Sequence, residues 1–245
     1  MSIGAVLPGV RRHPARTQEP GEIAKKREKD IMRKLGPLIG LVALICLMPS
    51  RATAADVFKI VPMLKQGGYV LVLRHGATDE SQKDVYPFVF DDMTKQRQLS
   101  DQGRTVARDI GAAFEAMGIS ISQVYSSKLN RAIETGSLIS SAPITPVKEL
   151  TDSGAGSAAA MANPNGGNTK TGSAILALVN RTPAPGANTL LVTHKTNIAD
   201  AFGKEFADVK EAETLIYRPN PAGPPTLIAR VQASEWIAQA KSQKS

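Results

Sequence analysis

The chain has little cysteine, few aromatic residues and no long apolar run, and each shortage excludes a class of protein. Its single cysteine, Cys46, cannot form an intramolecular disulfide, so no such crosslink stabilises the fold. Aromatic residues make up 4% of the sequence, and no basic stripe with interleaved aromatic residues occurs, which disfavours nucleic-acid binding. The longest apolar stretch, residues 35–48, is shorter than the roughly 20 residues that span a bilayer, so we expect no membrane span in the mature protein.

The first 54 residues have the composition of a targeting segment. A basic Met-Arg-Lys start at Met32 precedes the apolar stretch, and a small-residue Ala-Thr-Ala site ends at Ala54. We expect translation to begin at Met32, cleavage after Ala54 and export, in a bacterial cell to the periplasm. The alternative is that residues 1–31 form a long, genuine basic region of the signal. Cys46 would be removed with the signal.

The net charge of +8 is concentrated in this targeting segment. Residues 1–54 carry ten Lys and Arg against four Asp and Glu, whereas the remaining 191 residues carry 20 against 18, a net charge of +2. That length is sufficient to bury a core as one domain. We therefore expect one domain over residues 55–245, and we expect no electrostatic preference for nucleic acid.

Helical and strand patterns alternate along this predicted domain. The alternation predicts an α/β fold, a three-layer sandwich in which helices cover both faces of a mostly parallel central sheet. The patterns predict helices after Ala54, after Ser100, over 130–139, over 171–179 and after a Thr196 cap. They predict strands over 69–73, 123–125, 144–147 and 189–193, and a terminal hairpin over 213–218 and 226–231. Residues 77–97 and 151–168 show no sustained period, so we expect them to form an excursion over the sheet edge and a loop beside the site.

Two histidines follow directly after predicted strands. One strand leads into Arg74-His75-Gly76, and another leads into His194. In open α/β sheets, ligands bind at the carboxyl ends of the strands. A third strand brings Ser126-Ser127 to the same edge, and Arg131 follows on the next helix. Two imidazoles and two guanidiniums are suited to binding a phosphate.

These residue types predict a covalent phosphoryl transfer. His75 would be the nucleophile, kept neutral by the nearby guanidiniums, while Arg74 and Arg131 would each bind two phosphate oxygens. His194 would donate to a third oxygen in the transition state. The hydroxyls and amides of Ser126-Ser127 would supply secondary contacts to the phosphate. Neither serine is expected to be a nucleophile, since no Gly-x-Ser-x-Gly elbow surrounds it. We expect no metal and no cofactor, because the arginines would repel a cation.

Arg74-His75-Gly76, Arg131 within Ser-Ser-x-x-x-Arg-Ala, and His194 within Val-Thr-His resemble the smaller branch of the histidine phosphatase superfamily. The resemblance implies a phosphoglycerate-mutase-like sandwich, a phosphohistidine on His75 and no metal. It also places Gly76 and Thr78 in the family's first loop, where they would contact substrate.

The resemblance also implies a carboxylic acid shortly after a leucine that follows the fourth strand. Asp152 lies at that spacing and is the expected general acid, while Glu149, two residues early, is the alternative acid or a substrate contact.

The expected function is an exported phosphomonoesterase acting on a small phosphorylated metabolite or an envelope sugar phosphate. A non-catalytic phosphate-ester or phosphopeptide binder of the same fold is one alternative, and a phosphomutase is another. The mutase is less expected, because Ser81 stands where the mutase loop has asparagine and Lys195 where glycine often follows the second histidine. The sequence leaves the physiological substrate and the oligomeric state open.

Overall fold

The computed structural model describes residues 54–151 and 169–243, and within them six strands and six helices form an α/β fold. The strands are β1 Val70–Arg74, β2 Ile121–Ser126, β3 Ile144–Pro146, β4 Asn188–Thr193, β5 Thr214–Arg218 and β6 Thr226–Val231. The helices are α1 Ala54–Gln66, α2 Asp101–Ala116, α3 Asn130–Ile139, α4 Thr169–Val179, α5 Lys195–Phe202 and α6 Ala233–Ser242. The predicted fold class is confirmed.

All six strands belong to one sheet, in the order β3-β2-β4-β1-β5-β6. The pairs β3-β2, β2-β4 and β4-β1 are parallel, whereas β5 and β6 form an antiparallel hairpin that also pairs antiparallel with β1. The mostly parallel sheet and the terminal hairpin are therefore as predicted. The parallel arrangement brings the carboxyl ends of β1, β2 and β4 to one edge of the sheet.

Strand β1 shows why helices cover both faces of this sheet. Leu71 and Leu73 point into a hydrophobic cluster with α1, α2, α3 and α6, while Val70 and Val72 point into a second cluster with α4 and α5. All four side chains are fully buried. Burial of each stabilises the fold by about 1.5–3 kcal/mol, so these four apolar residues favour a sheet that is covered on both faces. The result is the predicted three-layer sandwich.

The start of α2 lies against the loop that follows β1. The Ser100 hydroxyl accepts a hydrogen bond from the Gly103 backbone N–H at 3.0 Å and forms the predicted N-cap. A Cβ atom on Gly103 would overlap the carbonyl of Ala77, so only glycine permits this close approach. The Ser100 backbone N–H also donates to the Ala77 oxygen at 3.0 Å. The loop after Gly76 is thereby fixed to α2.

One expectation about secondary structure is wrong, and one helix was missed. Helix α5 begins at Lys195 with His194 as its N-cap residue, not at a Thr196 cap, because the chain turns into the helix directly after β4. Helix α6 follows the hairpin and was not predicted. Its Trp236 is fully buried, packs edge-on against Phe114 at a centroid distance of 5.1 Å and donates from Nε1 to the Thr214 hydroxyl at 3.2 Å.

Residues 1–53 of the predicted targeting segment and residues 152–168 of the predicted loop 151–168 lie outside the described residues. Within 54–151 and 169–243, no helix is both long enough and apolar enough to cross a membrane.

Candidate active site

The parallel pairing of β1 with β4 brings the two histidines together. Arg74 stands opposite Thr193 in the register, and the His75 backbone N–H donates to the Thr193 oxygen at 3.0 Å. The next residue of each strand is therefore a histidine, and the two ring centroids are 5.1 Å apart. Both rings are almost completely buried, with 5% of His75 and 3% of His194 exposed. Ser127 joins them from β2, since its N–H donates to the Val192 oxygen at 2.9 Å.

The hydrogen bond of His75 fixes which ring nitrogen is free to react. Its Nδ1 lies 2.7 Å from the Gly76 carbonyl oxygen, which can only accept, so Nδ1 carries the proton. Nε2 is left with a lone pair. Burial, then the charge of Arg131 and more weakly that of Arg74, lower the pKa of His75 to about 3, against the opposing effect of the Gly76 carbonyl. Burial, more than the predicted effect of the arginines, keeps the ring neutral.

His194 is held by a serine hydroxyl. Its Nε2 lies 2.8 Å from Ser127 Oγ, and that oxygen also accepts the Leu129 backbone N–H at 3.2 Å. The hydroxyl proton is available for Nε2, and when Oγ donates it the ring proton of His194 lies on Nδ1. Nδ1 is buried and has no hydrogen-bond partner among the described residues. Burial, followed by the charge of His75 when protonated, sets the pKa of His194 well below its ordinary value.

Arg131 enters the site from the second position of α3. It is 2% exposed, and its Nη1 donates to Asp84 Oδ1 at 2.8 Å and to the Arg97 carbonyl at 3.3 Å. Asp84 Oδ1 also accepts the Arg97 backbone N–H at 2.9 Å. Residues 77–97 therefore fold back over the sheet edge, as predicted, and position Arg131.

Arg74 is held from the opposite side, by the segment before β5. Its Nη1 donates to the Val209 carbonyl at 2.9 Å and its Nη2 to Glu211 at 3.2 Å. Ala212 has a left-handed backbone, with φ of 56°, and its N–H donates to the carbonyls of Arg74 at 3.0 Å and His75 at 3.3 Å. A non-glycine residue in this conformation is uncommon and strained, and here it supports the two residues at the end of β1.

Sequence reasoning missed a third arginine, Arg97. Burial has the largest effect on the pKa values of His75, His194 and Arg74, and it lowers all three. The positive charge of Arg97 lowers each of them further. Its backbone contacts both Asp84 and Arg131, which places Arg97 beside the other site residues. Its loop has no periodicity to direct attention to it, and the only available signal was its position just before the Gln-Leu-Ser start of α2.

Several buried polar atoms around His75 have no hydrogen-bond partner among the described residues. They are Nε of Arg74, Arg97 and Arg131, Nδ1 of His194 and Oγ of Ser126. A buried polar group without a partner costs about 1–3 kcal/mol, and the three guanidinium nitrogens are all donors. Donors with positive charge, gathered around an imidazole with a free lone pair, are suited to binding an oxyanion such as phosphate.

The remaining predicted residues have different surroundings. Thr78 pairs with Leu99 in an isolated bridge, and the Gly76 N–H donates to the Thr135 hydroxyl at 3.1 Å, so both hold the first loop in place. Glu149 is half-buried in the short turn Lys148–Leu150, and no hydrogen bond among the described residues joins its carboxylate to either histidine.

Asp152 lies outside the described residues, although the turn before it is attached to the site. The Thr193 hydroxyl donates to the Leu150 carbonyl at 2.7 Å. In the part of the chain that the structure describes, no group of three or more His, Cys, Asp or Glu side chains is arranged to hold a metal ion.

Residues 70–165 match the family described as "Histidine phosphatase superfamily (branch 1)". The matched segment contains Arg74, His75 and Arg131, and it supports the histidine phosphatase superfamily. No curated protein matches the chain.

Several solved structures are similar to this chain. The protein histidine phosphatase SixA complexed with tungstate is 16% identical, with 68% of this chain and 97% of that chain covered and a TM-score of 0.48. Phosphoserine phosphatase from Entamoeba histolytica is 13% identical, with 69% and 98% covered and a TM-score of 0.47. The mycobacterial glucosyl-3-phosphoglycerate phosphatase is 16% identical, with 65% and 96% covered and a TM-score of 0.46.

Proposed function

We propose that this protein is a phosphoric monoester hydrolase that works through a phosphohistidine on His75. The observation that supports this most directly is the pair of buried imidazoles with centroids 5.1 Å apart, one with a free Nε2 and the other with an unpartnered Nδ1. The nucleophile is neutral and the surrounding groups are cationic. This combination suits attack on a phosphate dianion.

The reaction proceeds in two displacements. In the first, His75 Nε2 forms a bond to phosphorus while the ester P–O bond breaks, and the alcohol leaves with a proton from the general acid. In the second, water attacks phosphorus, the N–P bond breaks, inorganic phosphate is released and the acid recovers its proton from that water. Arg74, Arg97 and Arg131 bind the phosphate oxygens, and the Nδ1–H of His194 donates to the oxygen on which charge accumulates.

Asp152 is the proposed acid, with Glu149 as the alternative. The test compares aryl and alkyl phosphates in the variants Asp152→Asn and Glu149→Gln. An alkyl alcohol is the poorer leaving group and depends more on protonation, so the acid variant loses more activity on the alkyl ester. Equal losses on both esters in both variants would show that neither carboxylate is the acid.

The direct test of the function is hydrolysis of p-nitrophenyl phosphate by the purified protein. We expect turnover that is insensitive to EDTA, that is abolished in His75→Ala and that is unchanged in Arg108→Gln, an exposed arginine of α2. Tight binding of phosphate without turnover would instead identify the non-catalytic binder. Transfer of the phosphoryl group to a second hydroxyl of the substrate would identify the mutase.

The proposed location is outside the cytoplasm, which makes an envelope sugar phosphate or another small phosphorylated metabolite a candidate substrate. The N-terminal sequence of protein recovered from the periplasm of a bacterial host tests the export step. We expect it to begin at Ala55, and recovery of a chain that still contains Met32 would contradict the proposal.

A further inference from the structure

Exposed apolar side chains are concentrated in one segment of the described residues. The large exposed hydrophobic residues are Val85 at 47%, Val89 at 36%, Met93 at 46% and Phe58 at 66%. Three of these four lie within nine residues of the excursion after β1, whereas Phe58 stands apart on α1. Contiguous exposed apolar side chains are typical of binding surfaces, which makes this segment a candidate for one.

A row of three aromatic rings lies between these exposed residues. The ring centroids of Tyr86 and Phe88 are 4.7 Å apart, and those of Phe88 and Phe90 are 6.0 Å apart. The chain bends at Tyr86 and Pro87 and turns again at Phe90, and the three rings contact one another in sequence order along this segment. Each ring is only half-buried, so this aromatic row keeps surface for a further contact.

Both ends of the aromatic row are attached to the phosphate site. At one end, Asp84 pairs with Arg131 at 2.8 Å. At the other end, the Lys128 ammonium lies 5.8 Å from the centroid of the Phe90 ring, and Lys128 directly follows Ser127, which contacts His194. The row therefore lies between Asp84, which contacts Arg131, and Lys128, which follows the serine that contacts His194.

A glutamine holds the row in this position. Gln96 is 2% exposed, and its amide nitrogen donates to the carbonyls of Val89 and Phe90 at 2.9 and 2.8 Å. Its amide oxygen accepts the Asn130 backbone N–H at 2.9 Å, at the first residue of α3. The aromatic row is thus fixed to the helix that carries Arg131.

We propose that the aromatic row binds the leaving group of the substrate, and that this leaving group carries a flat apolar ring. The proposal rests on the hydrolase function above, because the phosphate must first be bound beside His75. The row offers the faces and edges of three rings, which pack favourably against another aromatic ring in stacked or edge-to-face contact. This substrate class differs from the envelope sugar phosphate that the proposed location suggests.

The test compares 2-phenylethyl phosphate with n-propyl phosphate. The two leaving alcohols have similar acidity, so cleavage of the P–O bond needs similar protonation by the general acid. A difference in kcat/KM between the two esters therefore reports contact between the protein and the phenyl ring. We expect kcat/KM to be about tenfold higher for the phenylethyl ester. In Phe88→Leu and Phe90→Leu the preference should fall several-fold, while kcat/KM for the propyl ester should change by less than about twofold.

Phe58→Leu is the matched control, since it removes an exposed ring on α1, and it should keep the full preference. Inhibition constants for 2-phenylethylphosphonate and propylphosphonate, which cannot be hydrolysed, should show the same preference in the wild type and the same loss in the two variants.

Equal kcat/KM for the two esters in the wild type, with normal turnover, would overturn this proposal and leave the hydrolase function standing. Absence of turnover with every ester would overturn both. If the variants keep the ring preference but lose binding to vesicles of anionic phospholipid, the row is a membrane-docking surface and the proposal is wrong.

Discussion

The lowered pKa of His75 predicts a specific loss of stability in acid. The ring has a pKa of about 3 in the folded protein, against 6.5 for an ordinary histidine. Between these pH values the unfolded chain binds more protons than the folded one. The contribution of His75 to the free energy of unfolding is therefore present in full above pH 6.5 and is lost as the pH falls toward 3. The full contribution of His75 to the free energy of unfolding is about 5 kcal/mol, and about 3 kcal/mol of it is lost between pH 6.5 and pH 4.

Urea unfolding at pH 4, 5 and 6.5 measures this effect, with His75→Gln as the comparison because glutamine does not titrate. Carboxylate ion pairs also weaken in acid, but they do so in both proteins. We expect the wild type to lose about 3 kcal/mol more than the variant between pH 6.5 and pH 4. Equal losses would refute the conclusion that His75 is held neutral by burial and by neighbouring positive charge.

Three substitutions test the groups that position the site. Asp84→Asn leaves the buried Arg131 charge without its partner, so the free energy of unfolding should fall by about 3 kcal/mol, and added phosphate should recover part of the loss in the same urea titration. Arg97→Gln should weaken phosphate binding by about tenfold in calorimetry, whereas Arg108→Gln should not. Ser127→Ala should lower kcat on p-nitrophenyl phosphate by about a hundredfold with little change in KM, and Ser127→Thr should restore part of it.

Each of these outcomes has a clear opposite. Asp84→Asn without loss of stability would mean that the Arg131 charge is solvated, and unchanged phosphate affinity in Arg97→Gln would place that guanidinium outside the site. If Ser127→Ala raised KM and left kcat unchanged, the hydroxyl would contact substrate and would not orient His194.

The position of the two histidines could be predicted because it depends on local sequence. An apolar run long enough for a buried strand ends at Arg74 and another ends at Thr193, and parallel pairing then places His75 beside His194. The start of α2 is equally local, since Ser100 caps that helix as its sequence indicates.

The missed features depend on contacts between distant parts of the chain. Arg97 reaches the site because Asp84 turns the excursion back onto Arg131, 47 residues away in sequence, and no periodicity encodes that turn. Ser127 was expected to contact substrate, whereas its hydroxyl lies on His194, a geometry set by the spacing of β2 and β4. Helix α6 is stabilised by burial of Trp236, which a ten-residue segment with few large apolar side chains does not reveal.

The covalent intermediate gives the most direct test of the central claim. Protein mixed with a ³²P-labelled phosphate ester and quenched in alkali within milliseconds should carry label that is stable in base and lost in acid, and peptide mapping should place it on His75. His75→Gln should carry none. Turnover without such label, or label that persists in His75→Gln, would contradict the assignment of His75 as the nucleophile.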